Sequence, residues 1–129
     1  MQDRRTVTTP NAPAAIGPYS QAIVHGGLVY CSGQVAIDPA TKELVAGGIE
    51  AETRQVLKNL SQVLKSAGSG PEHALKCTVY LQSMQEFGAM NAVYGTFFEK
   101  NPPARATVQV AGLPKNARVE IDCIAALPK

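Results

Sequence analysis

Arg105 and Glu120 are the side chains of this 129-residue chain whose types and positions best suit polar chemistry on a small substrate. Both fall within NPPARATVQVAGLPKNARVEID, residues 101–122, where two β-like runs are joined by a loop containing Gly112 and Pro114. An arginine on a strand that packs a core is expensive to bury alone, so its charge either faces solvent or is meant to meet an anion. A guanidinium presents a planar fork that takes a carboxylate through two parallel hydrogen bonds, which suits Arg105 to hold a small acid. The plainer alternative is a surface arginine at the start of a strand. Glu120 lies on the polar phase of the second run. If the two strands are neighbours, Arg105 and Glu120 share one sheet face and line one cleft; a simple cross-strand ion pair is the alternative.

Other groups add less. Tyr19 follows Gly17-Pro18, a stiff turn that projects a phenol, although most such tyrosines merely cover the edge of a core. Ser32-Gly33-Gln34 ends a strand-like run, where a hydroxyl and backbone amides can take an anion's oxygens, or can simply form a turn. His25 and His73 sit in turn-like contexts, where a histidine is usually a solvated side chain. No Gly-rich phosphate loop, H-E-x-x-H or G-x-S-x-G occurs. Cys31, Cys77 and Cys123 show neither C-x-x-C spacing nor a histidine companion, so free thiols in a reducing compartment are expected, with no metal.

The elements that must position these groups are legible from periodicity. AIVHGGLVYCSGQ, residues 22–34, reads as two strands about a tight His25-Gly26-Gly27 turn. Asp38 to Lys42 is a second turn. Apolar residues at Ile49, Val56, Leu57, Leu60, Val63, Leu64 and Ala67 have helical spacing, stopped by Gly68 to Pro71. LKCTVYL, residues 75–81, alternates like a half-buried strand, and Ser83-Met84-Gln85-Glu86 matches a capping box. A second helix carries the stripe Phe87, Met90, Tyr94, Phe97 and Phe98 and ends at Asn101-Pro102-Pro103. Strands at 106–110 and 119–127 complete a two-layer α+β domain spanning 1–129, a mixed sheet with both helices on one face. Thr78, Tyr80, Thr107, Gln109, Arg118, Glu120 and Asp122 occupy the phase opposite the apolar one. Water or other subunits must cover that face.

Composition narrows the function classes. The net charge is only +2, with 45% hydrophobic and 17% charged residues, and Arg4-Arg5 is the only adjacent basic pair. Such a chain offers no electrostatic track for nucleic acid, which is therefore not an expected partner. No apolar run approaches membrane-spanning length. The first residues, MQDRRTVTTPNAP, resemble a transit peptide faintly but contain an acid and two prolines. They read as a native tail, which suggests the cytoplasm and leaves the mitochondrion as the alternative.

Taken together, IGPYSQA, CSGQ, NAVYGTFF and PPARATVQVAGLPKNARVEIDCIA closely resemble the RidA (YjgF/UK114) family of imine deaminases, over residues from about Ala12 to Ala126. The resemblance implies a chorismate-mutase-like α+β fold assembled as a homotrimer, with a cleft at each subunit interface. It implies that Arg105 grips the carboxylate of a 2-imino acid and that Glu120 holds or activates the attacking water. Tyr19, Ser32, Gly33 and Asn91 fall on the family's substrate-binding positions. Thr107, two residues after the arginine, is a further substrate-binding position; it stands where many members have cysteine, so its hydroxyl can still hydrogen-bond but thiol chemistry at that point does not carry over. The implied reaction hydrolyses enamines and imines released by pyridoxal-phosphate dehydratases to 2-oxo acids and ammonia. It needs orientation and electrostatic holding but no cofactor. The rival readings are a 2-oxo-acid-binding regulatory module and the translation-inhibitor or endoribonuclease role attached to the family's name. The second gains nothing from a chain without tryptophan or interleaved basic and aromatic residues.

Overall fold

A computed structural model describes residues 3–128. Its six strands are β1 (Arg5–Val7), β2 (Ala22–His25), β3 (Leu28–Gln34), β4 (Ala74–Leu81), β5 (Ala104–Gln109) and β6 (Val119–Ala126). Two long helices, α1 (Gly48–Ser66) and α2 (Phe87–Phe97), connect β3 to β4 and β4 to β5. The strands form one sheet in the order β1-β2-β3-β6-β4-β5, antiparallel throughout except for the parallel pair β4–β5. The mixed α+β architecture is the expected one. At Gly26 and Gly27 the φ angles of 60° and 80° give the β2–β3 hairpin a two-residue turn whose twist matches the flanking strands.

The tail is more than a tail. Residues 5–7 form β1 and pair with β2 in the register Arg5↔Val24 to Val7↔Ala22, with Val7 buried. Arg5 also donates from Nη2 to the carbonyl of Ala67 at 3.1 Å, closing the C-terminus of α1. Three residues are too few for alternation to announce a strand, so composition left it unseen.

Both helices pack on one face. Val56, Leu57, Leu60, Val63 and Leu64 of α1 share one core cluster with Cys77, Val79 and Leu81 of β4 and Val119, Ile121 and Cys123 of β6. Polar residues of α1 are buried with partners. Thr53 donates to the Ile49 carbonyl, and Asn59 donates to the carbonyls of Val35 and Ile37, tying the chain after β3 to the helix. The capping box is only half realised: Ser83 Oγ accepts from the Gln85 amide at 3.3 Å over a 3-10 turn, while Glu86 turns away to Arg118. The helix α2 ends at Phe97, before the prolines, because Phe98 and the left-handed Asn101 have already left helical geometry.

Among the described residues no helix is long and apolar enough to cross a membrane, and no group of three His, Cys, Asp or Glu stands where it could hold a metal ion. The three cysteines are free and buried. Cys123 faces Cys31 on one side and Cys77 on the other, and burial pushes the Cys31 thiol up to about 12.

Candidate functional site

Register decides where each candidate side chain lies. Arg105 sits beside Cys77 in the parallel β4–β5 pair, and Thr107 beside Val79. Because Cys77 and Val79 point into the core, Arg105 and Thr107 face the helices. Glu120 sits beside Tyr80 and Asp122 beside Thr78, on the opposite face. Arg105 and Glu120 therefore do not share a face, and β4 lies between their strands. This corrects both sequence expectations for the pair, the shared cleft within one chain and the cross-strand ion pair. Thr107 and Gln109 also leave the polar face, and Arg118 turns to Glu52 and Glu86 at 3.9 and 2.9 Å.

The Arg105 half of the site is built by α2. The guanidinium carbon lies 4.7 Å from the centroid of Tyr94 and 5.5 Å from that of Phe87, and Nη1 donates to Asn91 Oδ1 at 2.7 Å. Phe87, Asn91 and Tyr94 are spaced by helical turns, so one helix face forms the whole cradle. Among the described residues Arg105 has no carboxylate partner, since both ion pairs belong to Arg118. A cation stacked on aromatic rings and braced by a neutral amide keeps its remaining donors for an anion. Beneath it the Thr107 hydroxyl is buried without a partner, and the Tyr94 hydroxyl has only the Cys77 thiol beside it. Burial, with Cys77 alongside, pushes the Tyr94 phenol well above its usual range, so it stays a neutral donor.

The other half gathers around Glu120. Gly33 lies so close that any Cβ there would collide with the Glu120 carboxylate. Burial raises the pKa of Glu120, and the neighbouring Asp122 charge adds to it. Asp122 itself accepts from the Thr78 amide at 3.2 Å and the Tyr80 hydroxyl at 3.0 Å. Gly33 also lines a cleft of about 530 Å³ with Pro10, Ile16, Tyr19, Ile37 and Lys115. Tyr19 is 50% exposed and Ile16 82%. Ser32 gives its hydroxyl to the Ser20 carbonyl at 2.6 Å and its amide to the Gln21 carbonyl at 3.0 Å, so both donors serve to dock the loop before β2.

The fold thus brings Tyr19, Ser32, Gly33 and Glu120 to one side of the sheet, and Arg105, Asn91 and Thr107 to the other. Phe87 and Tyr94, the stacking partners of Arg105, belong in sequence to the apolar stripe of α2. Their i and i+7 positions with Asn91 at i+4 are the signal that they share a face with a polar residue.

Gly33→Ala is the sharpest local probe of the Glu120 half. The new methyl forces the carboxylate aside, so the NMR signals of Glu120 and its neighbours on β3 and β6 are expected to shift while those of the two helices stay in place. Spectra read beside the melting curve check it.

Comparison with known proteins places the chain. The sequence profile of the endoribonuclease L-PSP family matches residues 9–127. A mouse protein named 2-iminobutanoate/2-iminopropanoate deaminase is 49% identical over 122 residues, covering 95% of this chain and 90% of its own. The crystal structure of RidA from the Antarctic bacterium Psychrobacter sp. PAMC 21119 superposes with a TM-score of 0.91 at 41% identity, covering 95% of this chain and 98% of that one. The yjgF gene product of Escherichia coli superposes with a TM-score of 0.91 at 40% identity, over 96% of this chain and 99% of its own. With a profile match across nearly the whole chain and relatives this similar on both sequence and fold, this chain belongs to the RidA family, whose sequence profile bears the description endoribonuclease L-PSP.

Proposed function

We propose that this protein hydrolyses the imines and enamines of short 2-amino acids to 2-oxo acids and ammonia, in clefts completed by a second copy of the chain within a homotrimer. The observation that carries the reading is Arg105, held by Tyr94, Phe87 and Asn91 yet without a counter-ion among the described residues. An anionic substrate supplies what the fold withholds. The name of the mouse relative, 2-iminobutanoate/2-iminopropanoate deaminase, supports this choice of substrate.

In this mechanism Arg105 takes the carboxylate of the 2-imino acid through two N–H donors and fixes C2 in space. Glu120 accepts a proton from water as the water oxygen bonds to C2, and the C=N electron pair moves onto nitrogen. Solvent water or Tyr19 protonates nitrogen, and the C–N bond of the tetrahedral intermediate breaks as the new hydroxyl loses its proton to form C2=O and Glu120 returns its own to solvent. Ammonia leaves and the 2-oxo acid remains. The elevated pKa of Glu120 makes it a stronger base than an ordinary surface carboxylate. The substrates fit the products of pyridoxal-phosphate dehydratases acting on threonine and serine.

Two copies are needed because Arg105 and Glu120 lie on opposite faces of one sheet. The outer face supports association: Tyr30 and Val108 are 43% and 42% exposed there, beside the partly buried Tyr80 and Asp122. Head-to-tail contacts in a closed ring place one chain's Arg105 face against the next chain's Glu120 face.

The direct test couples threonine dehydratase to this protein and follows loss of the imine; a rate no faster than buffer removes the proposal. Binding of 2-oxobutanoate without turnover would favour a sensing module instead. A complementation experiment tests the shared site. Arg105→Ala and Glu120→Gln chains, each inactive alone, are mixed after reversible dissociation. Random reassembly in a ring should restore about a quarter of wild-type activity, since one site in four then pairs two intact halves. No recovery despite demonstrated subunit exchange would place the two residues in one chain's site or in none.

A further inference from the structure

The wall of the cleft lined by Gly33 is a segment with little regular structure. Residues 8–21 contain no helix or strand, yet Pro10, Ala12, Pro13, Ala14, Ile16 and Tyr19 all line the cleft. A loop of this length needs an anchor if its side chains are to present a fixed surface. The anchor is Gln21, which is only 3% exposed.

Every arm of its carboxamide is used. Oε1 accepts the Thr9 amide at 2.7 Å. Nε2 donates to the carbonyls of Pro13 at 2.8 Å, Thr9 at 3.1 Å and Ala12 at 3.4 Å. The partners fix which way the amide points, because a backbone N–H needs the oxygen and three carbonyls need the nitrogen. The backbone of Gln21 is held as well, its carbonyl accepting the Ser32 amide at 3.0 Å. One side chain therefore clasps residues 9–13 to the start of β2, one residue from Ala22 and next to the Ser32-Gly33 pair. The loop between these fixed points carries Ile16 and Tyr19, and Tyr19 adds only a local tie to the Gly17 carbonyl at 2.8 Å.

We infer that Gln21 is a positioning residue for substrate binding: its carboxamide sets the wall that carries Ile16 and Tyr19 over Gly33, and so governs how tightly the cleft receives the imino acid. This rests on the proposed imine hydrolysis and takes the cleft lined by Gly33, which abuts Glu120, as part of its substrate site. Gln21 touches no reacting group, so its loss acts on binding more than on the chemical step.

The test compares Gln21→Met, which keeps the volume and removes every hydrogen bond, with Gln21→Glu and Ile16→Ala, in steady-state imine hydrolysis by the assembled protein. Gln21→Met should raise KM about tenfold while kcat falls less than about threefold, the loss expected for one or two net hydrogen bonds. Hydrogen exchange should quicken in residues 9–20 with β4 and β6 still protected. Gln21→Glu supplies a second reading should the methionine variant fold poorly. Its protonated acid can still donate and accept, so its KM relative to wild type should approach one in mild acid and rise above neutrality as the carboxylate repels the three carbonyls. A raised KM that tracks loosening of the segment supports the clasp. If Ile16→Ala raises KM and neither Gln21 variant does, the clasp is overturned and the cleft stands. If none of the three moves KM, the cleft assignment fails and the inference with it.

Discussion

Arg105→Lys is expected to lower kcat/KM for 2-iminobutanoate by about a hundredfold, even though the formal charge is kept. Three features of the native group are lost at once. Lysine has no planar face to lie over Tyr94 at 4.7 Å and Phe87 at 5.5 Å. Its ammonium sits at the end of a flexible stem, so the contact to Asn91 no longer fixes its direction. And it offers a point charge where the carboxylate needs two parallel donors. If the grip orients C2 for attack, as proposed, both KM and kcat should suffer. Asn91→Ala, which leaves the guanidinium but removes its brace, should fall between the two. Wild-type activity in Arg105→Lys would remove this residue from the mechanism.

Glu120→Gln is expected to lower kcat by about a thousandfold, within the range general-base catalysis supplies, with KM little changed. The same residue sets a pH signature. Burial first, then Asp122, raises its pKa, so the acid limb of kcat/KM should lie above the ordinary glutamate value of about 4.3. The glutamine variant's residual rate should lack that limb. The stability effect has the opposite sign. A carboxyl whose folded pKa is raised favours folding while protonated, and that contribution is lost as pH rises through the folded pKa. At neutral pH the ionised Glu120 therefore opposes folding, and Glu120→Gln should melt at the same temperature or higher. Thermal denaturation near neutrality and in mild acid checks the sign: the gap between variant and wild type should shrink as pH falls. A variant that melts lower at neutral pH would show instead that the carboxylate supports the fold. A group that costs stability while it works is the expected compromise at an active site.

Much of this was legible before the structure. The two helices, the β2–β3 hairpin and the alternation of β4 follow from spacing and turn residues because each buries one side against a broad core. What alternation misjudged is β5. Arg105, Thr107 and Gln109 are its polar phase, and polar residues in a half-buried strand ordinarily point away from helices. But β5 is an edge strand, and its inward face meets α2, whose Tyr94, Phe87 and Asn91 receive the cation that a closed core would reject. Sequence also could not supply the strand order. The loop joining the β5 and β6 runs looks like a hairpin, yet β6 inserts between β3 and β4, and no local signal records that. Gly33 was found through its neighbours Ser32 and Gln34, while the reason for it, a carboxylate occupying the space of its missing Cβ, required the register of β3 against β6.

With the guanidinium on one side of the sheet and the carboxylate on the other, a solitary polypeptide is chemically half-equipped under the shared-cleft reading. Catalytic output per molecule then falls on dilution below the association threshold. In a mixed population, a damaged subunit silences only the cleft to which it contributes the damaged half, and it still lends its sound half to a neighbour. Gene dosage would then scale activity by counting adjacent pairs, not individual chains.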